Sequence, residues 1–421
     1  MPPEPDAPHR VSTQGPFRVV TIAFALPIDP TARCFQLIRA ARPDPADAAI
    51  PPPTITRALL QRQLGLSQPS VTRHVTALIE AGLVVQDKHL PPSLPSATTP
   101  GSRGGRRTAT LIPHNPGLVA LGAHIGARST LLLAVDPTGT VLAQRQVNFD
   151  VSSTPAPDTL EAIGHSLRSL APPGTCIAGA GVAFSAAVRP DGTVTSSAYG
   201  WEEQPALPLL RSYLHQDVGI SGGVQALAGY DLLTCTDPIT EAAPPCASTL
   251  YCYARELISH AWMMGGTVHR PKTGSSPTVY DTLGRGSLFA GTCPVGAHPL
   301  SASSILSAAH HRGLSAHSVA ELARSTKPAA RELLDARARL LAEGLSSALD
   351  TLDPHRVVLA GEAFTADPLA ATRIRGILEA VHPEVTLEIA PRGAVHRAAT
   401  AVALHRLWQD PLSVARRAEE V

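Results

Sequence analysis

The sequence is poor in residues that define several common classes of protein. Its 421 residues include only 6 cysteines, none of them in a CxxC pair, and 4% of the chain is aromatic. Scattered cysteines argue against both a disulfide framework and a zinc ribbon. No apolar run reaches the length of about 18 residues that a membrane helix requires, and the N-terminus lacks the apolar core of a signal peptide. We therefore expect a cytoplasmic protein with no membrane partner.

The charge of the chain is nearly balanced overall, but it is unevenly distributed. The formal net charge is +1 at pH 7. Between residues 54 and 107, however, seven Lys and Arg residues stand against only two Asp and Glu residues. A local excess of positive charge in a nearly neutral protein is typical of a surface that meets nucleic acid.

Residues 54–86 have the apolar spacing of a helix-turn-helix. A first short helix is predicted to end in a turn at Gly65, because glycine tolerates a positive φ. Ser67 is predicted to cap a second helix, whose apolar residues recur at helical spacing and leave a polar face outward. Such a face reaches base edges and phosphates in the major groove, with Arg73 as the expected guanine or phosphate donor. The candidate DNA-contacting residues of this helix are Gln68, Ser70, Thr72, Arg73 and Thr76.

The residues that follow this helix pair predict a wing. A short strand at 83–85 and a second strand at 108–112 are predicted to form a β-hairpin around a loop rich in Pro, Ser, Thr and Gly. Arginines at its tip would reach a phosphate backbone or a minor groove. These candidates are Arg103, Arg106 and Arg107. The alternative for the helix pair by itself is an ordinary αα-hairpin with a solvated polar face.

Changes of pattern along the chain predict its domain organisation. Residues 1–16 are expected to be disordered, 17–113 to form a winged helix-turn-helix, 118–410 to form an α/β module, and 411–421 to be a C-terminal tail. The module is predicted to begin with three strands in a meander, with a turn at 136–139 between the second and the third. Helices and strands alternate after it. This order predicts an α/β fold in two lobes.

The order of these elements resembles the ROK family of repressors and sugar kinases. The resemblance rests on GRRTATLIP before the module, LGAHIGARSTLLLAVDPTGTVLAQRQV at its start and VVLAGEAF near its end. It implies an actin-like ATPase fold, in which two lobes are hinged around a cleft.

The segments that match the catalytic motifs of that family lack the kinase residues. The family holds the ATP phosphates with an acidic residue in the first hairpin, where this chain has His124. The family's Asn-Asp pair, whose Asp is the general base for the sugar hydroxyl, matches Gly222 and Gly223, and glycine cannot accept a proton. Thr278 and Asp281 match the Glu and the His that contact sugar hydroxyls, so they are the candidate effector-binding residues. The resemblance therefore implies a module that is not an enzyme.

A zinc site is the remaining metal alternative. The family's zinc loop keeps one cysteine here, Cys293, where three are expected. His298, His310 and His311 follow closely in sequence, but the spacing matches no common structural zinc site. We expect no metal and no cofactor.

Together these patterns predict a sequence-specific DNA-binding transcriptional regulator, acting as a repressor, whose inactive ROK-type module serves oligomerisation and effector sensing. The expected partners are an operator in double-stranded DNA, a small-molecule effector and further copies of the chain, as a homodimer or a dimer of dimers. One alternative is a ROK-type sugar kinase with an accessory DNA-binding arm. Another is a protein-interaction scaffold.

Overall fold

The computed structural model describes residues 19–40, 55–87, 109–115, 117–148, 150–235, 248–274, 279–390 and 393–419. Its N-terminal part contains a short strand, three helices and a hairpin. Their bounds are β1 (Val19–Thr21), α1 (Pro30–Ala40), α2 (Arg57–Leu64), α3 (Gln68–Glu80), β2 (Val84–Asp87) and β3 (Thr110–Pro113). Helices α2 and α3 with the β2-β3 hairpin form the winged helix-turn-helix.

Local sequence signals explain this unit. Gly65 ends α2 with a φ of 64°, in the left-handed region that glycine adopts without strain. The hydroxyl of Ser67 caps α3 by accepting a hydrogen bond from the Ser70 backbone N–H at 3.4 Å. Strands β2 and β3 pair in antiparallel register. The predicted turn, cap and hairpin are confirmed.

The next part of the chain builds the first lobe. Its elements are β4 (Leu118–Ile125), β5 (Thr130–Val135), β6 (Val141–Val147), α4 (Ala156–Arg168), β7 (Cys176–Phe184), β8 (Ala187–Val188), β9 (Val194–Ser196), β10 (Trp201–Gln204), α5 (Ala206–Leu214), β11 (Val218–Gly222) and α6 (Gly223–Thr234). The predicted meander is confirmed, because β4, β5 and β6 pair in antiparallel register. Asp136 closes the turn between β5 and β6 by accepting backbone N–H bonds from Thr138 and Thr140, both at 2.9 Å.

The rest of the chain builds the second lobe and its covering helices. These elements are β12 (Thr249–Ala254), β13 (Ile258–Met264), β14 (Thr267–Val268), α7 (Val279–Arg285), α8 (Ala302–His311), α9 (Val319–Arg324), α10 (Pro328–Leu352), β15 (Arg356–Ala360), α11 (Glu362–Thr365), α12 (Pro368–Val381), β16 (Thr386–Ile389), α13 (Ala394–Gln409) and α14 (Pro411–Glu419). In the described residues, no helix combines the length and the apolar character needed to cross a bilayer.

The two lobes repeat one sheet topology. The first sheet has the order β1-β11-β7-β4-β5-β6, and the second has the order β14-β13-β12-β15-β16. Apart from β1, each sheet consists of an antiparallel meander of three strands and two further strands. The first strand of the meander pairs in parallel with one of these, which pairs in parallel with the other. This duplication confirms the predicted α/β class and its two lobes.

Strand β1 and helix α14 change the expected division of the chain. The sequence analysis assigned residues 17–113 to the winged unit, but β1 pairs in parallel with β11 of the first lobe. Residues 411–421 were expected to be a tail, but α14 forms within them and buries Val414 and Ala415. The segment that follows β1 and helix α14 therefore both pack on the body of the protein, because Ile22, Phe24, Val414 and Ala415 are buried.

Helix α13 lies unusually close to the first sheet. A Cβ atom added to Gly122 of β4 would lie 2.5 Å from the backbone oxygen of Ala399, and one added to Gly181 of β7 would overlap the backbone at Val402. Only glycine permits this approach. One continuous apolar cluster then joins α13 and α6 to α1 and to the winged unit.

Candidate DNA interface and interlobe cavity

Helix α3 has the two faces that the sequence predicts. The inner face of this helix carries three fully buried side chains, those of Val71, Val75 and Leu78. Of the candidate DNA-contacting residues, Gln68, Thr72, Arg73 and Thr76 are exposed, and Ser70 is half-buried. The structure therefore brings these five residues together on one accessible surface, while contact with DNA itself stays a prediction.

The wing arginines cannot be placed in the same way. Strands β2 and β3 pair from Val84 with Pro113 to Asp87 with Thr110, which is the last described pair of the hairpin. The candidates at that tip lie outside the described residues; they are Arg103, Arg106 and Arg107. Their role stays a prediction.

His74 is a feature of α3 that sequence reasoning missed. It is half-buried, and its Nδ1 lies 2.9 Å from the Thr31 hydroxyl in α1. The recognition helix is thus hydrogen-bonded to an element outside the helix-turn-helix. No sequence pattern indicated this bond, because Thr31 lies 43 residues before His74.

A cavity of about 460 Å³ lies between the two lobes. It is large enough for a small molecule, since ligand pockets typically measure about 300–1,000 Å³. Both lobes and the N-terminal ends of α6 and α13 line it. Its polar lining includes His124, Ser185, Gln225, Arg255, Asp281 and His298.

His124 lines the cavity next to Gly223, where a Cβ atom added to the glycine would lie 2.8 Å from Nε2 of the imidazole. Its side chain is almost completely buried, and Nε2 lies 3.5 Å from the Ser185 hydroxyl. Burial, with a smaller contribution from nearby Arg255, lowers the pKa of His124 to about 4. The imidazole is therefore neutral near pH 7, and no carboxylate stands at Gly222 or Gly223.

Asp281, one of the two candidate effector residues, does line the cavity. Its Oδ1 lies 3.2 Å from Nε2 of His298. Because Nδ1 of His298 accepts the Leu300 backbone N–H at 3.0 Å, Nε2 carries the proton that bonds to Asp281. Burial lowers the pKa of His298, although Asp281 opposes the shift. The other candidate, Thr278, lies outside the described residues.

The residues considered for zinc point to separate partners. The Cys293 thiol contacts the Ala297 carbonyl at 3.0 Å, whereas His298 bonds to Asp281. His310 bonds through Nε2 to the Ala316 carbonyl at 2.9 Å. Across the part of the chain that the structure describes, no group of three or more His, Cys, Asp or Glu residues is placed to hold a metal ion.

Sequence profiles identify both parts of the chain. Residues 300–401 match the ROK family, and residues 53–85 match winged helix-turn-helix DNA-binding domains. Two relatives are transcriptional regulator Rv0485 of Mycobacterium tuberculosis and transcriptional regulator Mb0495 of Mycobacterium bovis. Each is 30% identical over 392 residues, which cover 86% of this chain and 84% of the relative.

Solved structures show the same fold. A ROK family transcriptional regulator described as a homolog of the Escherichia coli MLC protein matches with a TM-score of 0.64 and 15% identity, over 92% of this chain and 99% of that one. A ROK family glucokinase from Streptomyces griseus, in complex with glucose and AMPPNP, matches with a TM-score of 0.54 and 16% identity, over 68% and 98%. The chain therefore belongs to the ROK family and joins the family's actin-like module to an N-terminal winged helix-turn-helix of the DNA-binding class.

Proposed function

We propose that this protein is a sequence-specific DNA-binding transcriptional regulator that acts as a repressor. The observation that carries the proposal is α3, which is capped at Ser67, buried along Val71 and Val75, and exposed at Arg73. A helix held in this way presents its N-terminal polar side chains to the major groove. The mycobacterial relatives are named transcriptional regulators, which supports the regulatory part of the proposal.

The proposed interface has a specific part and a nonspecific part. The polar face of α3 supplies the base contacts, and the arginines of the wing add phosphate or minor-groove contacts. We take residues 17–113 as the segment that carries this interface and 118–410 as the core of the ROK module. Strand β1 pairs with β11 of the first lobe, and α14 contacts both α3 and β7.

The interlobe cavity is the proposed effector site. It is enclosed by both lobes, so a bound molecule would contact both and would favour one angle between them. Asp281 and His298 form a hydrogen-bonded pair on its wall, and Arg255 also lines it. These groups offer both acceptors and donors to a polar small molecule.

We propose that the module is not an enzyme. The positions that match the family's Asn-Asp pair are Gly222 and Gly223, which carry no side-chain base. The rival sugar kinase would have to use another group, and His124 is the titratable side chain closest to Gly223 in the cavity. Loss of a general base typically costs about 10²–10⁴-fold in rate. ADP release that requires protein, ATP and a hexose, and that the His124→Ala variant loses, would establish the kinase instead.

DNA binding is the direct test of the function. The purified protein is titrated with the DNA upstream of its own gene and with random DNA of equal length, at one stated salt concentration. We expect upstream DNA to bind at least about 10³-fold more tightly than random DNA. The same promoter fused to a reporter should be less active when the protein is present. No DNA binding even at low salt would favour the scaffold alternative.

A further inference from the structure

The N-terminal segment crosses from one lobe to the other. We call residues 19–29 the N-terminal strap. Val19 to Thr21 pair with β11 of the first lobe, and the Ile22 backbone N–H continues this ladder to Ile220 at 2.8 Å. Only two residues later, Phe24 accepts a backbone hydrogen bond from Val268 at 2.9 Å. Strand β14, which contains Val268, belongs to the second lobe.

The middle of the strap is fixed on the two helices that join the lobes. The Phe24 ring is buried directly against Gly229 of α6, where a Cβ atom would overlap it. The ring also meets His405 of α13 edge to face, with centroids 5.3 Å apart. The strap therefore cannot slide when the angle between the lobes changes, and it must move with them.

The strap runs directly into α1. Asp29 caps this helix by accepting the Ala32 backbone N–H at 3.0 Å. Gln36 donates to the Leu232 carbonyl at the end of α6, at 3.4 Å. The buried Arg39 guanidinium bonds to the next carbonyl, that of Leu233, and lies 3.5 Å over the ring of Trp408. Helix α1 is thus held as one body with the end of α6.

The opposite side of α1 holds the recognition helix. The Thr31 hydroxyl, buried at the start of α1, bonds to His74 of α3. Apolar residues of α1 and of the winged unit also belong to one continuous cluster. A displacement of α1 therefore reaches α3 through a packed contact and a hydrogen bond.

We propose that the strap and α1 form a relay, which transmits the angle between the lobes to the recognition helix. Thr31 is the positioning residue at the last step of this relay. The proposal rests on the proposed function, because it describes how the cavity regulates the DNA-binding helix. Coupling free energies between allosteric sites typically change affinity about 5- to 150-fold.

One glycine allows the lobe angle to be changed without a ligand. A Cβ atom at Gly274, in the second lobe, would lie 2.5 Å from the backbone oxygen of Val188 in the first lobe. Gly274→Ala should therefore act as a wedge that forces the two lobes apart at this contact. Gly313→Ala is the matched control. Gly313 has a φ of 68°, close to the φ of 70° at Gly274, but no atom lies within 4 Å of the added Cβ.

Two measurements follow for these variants of the full chain. Operator affinity should change at least about fivefold in Gly274→Ala and not in Gly313→Ala. Hydrogen exchange of the peptides covering α1 and α3, measured without DNA, should change in the same variant only. If the wild-type protein binds no DNA but exchange still responds, the proposed function fails and the relay stands. If the wild-type protein binds its operator and neither measurement responds, the relay is wrong.

Thr31→Val tests the last step and does not depend on the wedge. It removes the hydroxyl that bonds to His74 and keeps the shape of the side chain. Thr159→Val is its control, because Thr159 is also buried and its hydroxyl has no hydrogen-bond partner among the described residues. We expect Thr31→Val alone to increase exchange in α3 and, combined with Gly274→Ala, to reduce the effect of the wedge. Unchanged exchange in α3, with full additivity of the two changes, would overturn the role of Thr31.

Discussion

The imidazole of His124 fills the space in which a side chain at position 223 would lie. A Cβ atom on Gly223 would be 2.8 Å from Nε2 of His124, closer than such atoms approach in real proteins. His124 and Gly223 therefore depend on each other. His124 can keep its position in the cavity lining only because residue 223 carries no side chain.

This dependence predicts a stability effect that changes with background. Gly223→Ala should lower the free energy of unfolding by about 1–3 kcal/mol, because the added methyl group overpacks against a buried ring. In a His124→Ala background the same change should cost almost nothing. Denaturant unfolding of the wild-type protein, the two single variants and the double variant measures the coupling. Gly376→Ala is the control, since this glycine of α12 has open space around it and should gain about 0.5–1 kcal/mol. Equal costs in both backgrounds would contradict the contact.

Arg73 is predicted to contribute directly to operator binding. It is exposed on α3 among polar neighbours, so Arg73→Ala should cost about 1–3 kcal/mol of binding while leaving the fold intact. Arg375→Ala is a suitable control, because it removes an exposed arginine from α12, a helix outside the winged unit. Fluorescence anisotropy with labelled operator gives the affinities, and circular dichroism checks the fold. An unchanged affinity would exclude Arg73 from the interface.

The wing is predicted to add affinity that does not depend on sequence. Neutralising its three arginines should weaken binding to operator and to random DNA alike. Each lost phosphate contact should reduce the slope of log K against log salt by about 0.9. Titrations at several salt concentrations measure that slope. The variant carries substitutions at Arg103, Arg106 and Arg107. A change in sequence preference without a change in slope would mean that the wing contacts bases.

The sequence was sufficient where structure depends on near neighbours. The cap at Ser67, the turn at Gly65 and the meander that begins the module depend on residues within a few positions, and all three are confirmed. The pairing of Val19 with Val218 could not be predicted, because these residues are about 200 positions apart and β1 is too short to show a pattern.

Separation along the chain also limited what the sequence could predict about the cavity. Sequence comparison identified His124 and Gly223 as separate departures from the kinases, but only the fold shows that one fills the space left by the other. His298 was considered for zinc, yet the fold turns it to Asp281. Its partner could not be found from spacing, because the two residues come from a helix and a loop that meet at the cavity.

The last prediction is that the protein binds DNA as a homodimer or a dimer of dimers. A single recognition helix buries too little surface for a physiological affinity, whereas two copies related by a twofold axis double the contacts. The operator should then be a pseudo-palindrome with half-site centres about 34–36 Å apart or a multiple of that distance. Light scattering measures the mass of the free protein, and footprinting measures the spacing.

A symmetric assembly also gives the relay an effect on DNA. In each copy α1 is hydrogen-bonded both to α6 and to the recognition helix, so a change in lobe angle would move the two recognition helices together. Their separation would then fit the two half-sites in only one state. Inserting five base pairs between the half-sites should abolish tight binding, because it turns them to opposite sides of the duplex, and inserting ten should restore part of it. A monomer at micromolar concentration that binds one half-site with full affinity would contradict this arrangement.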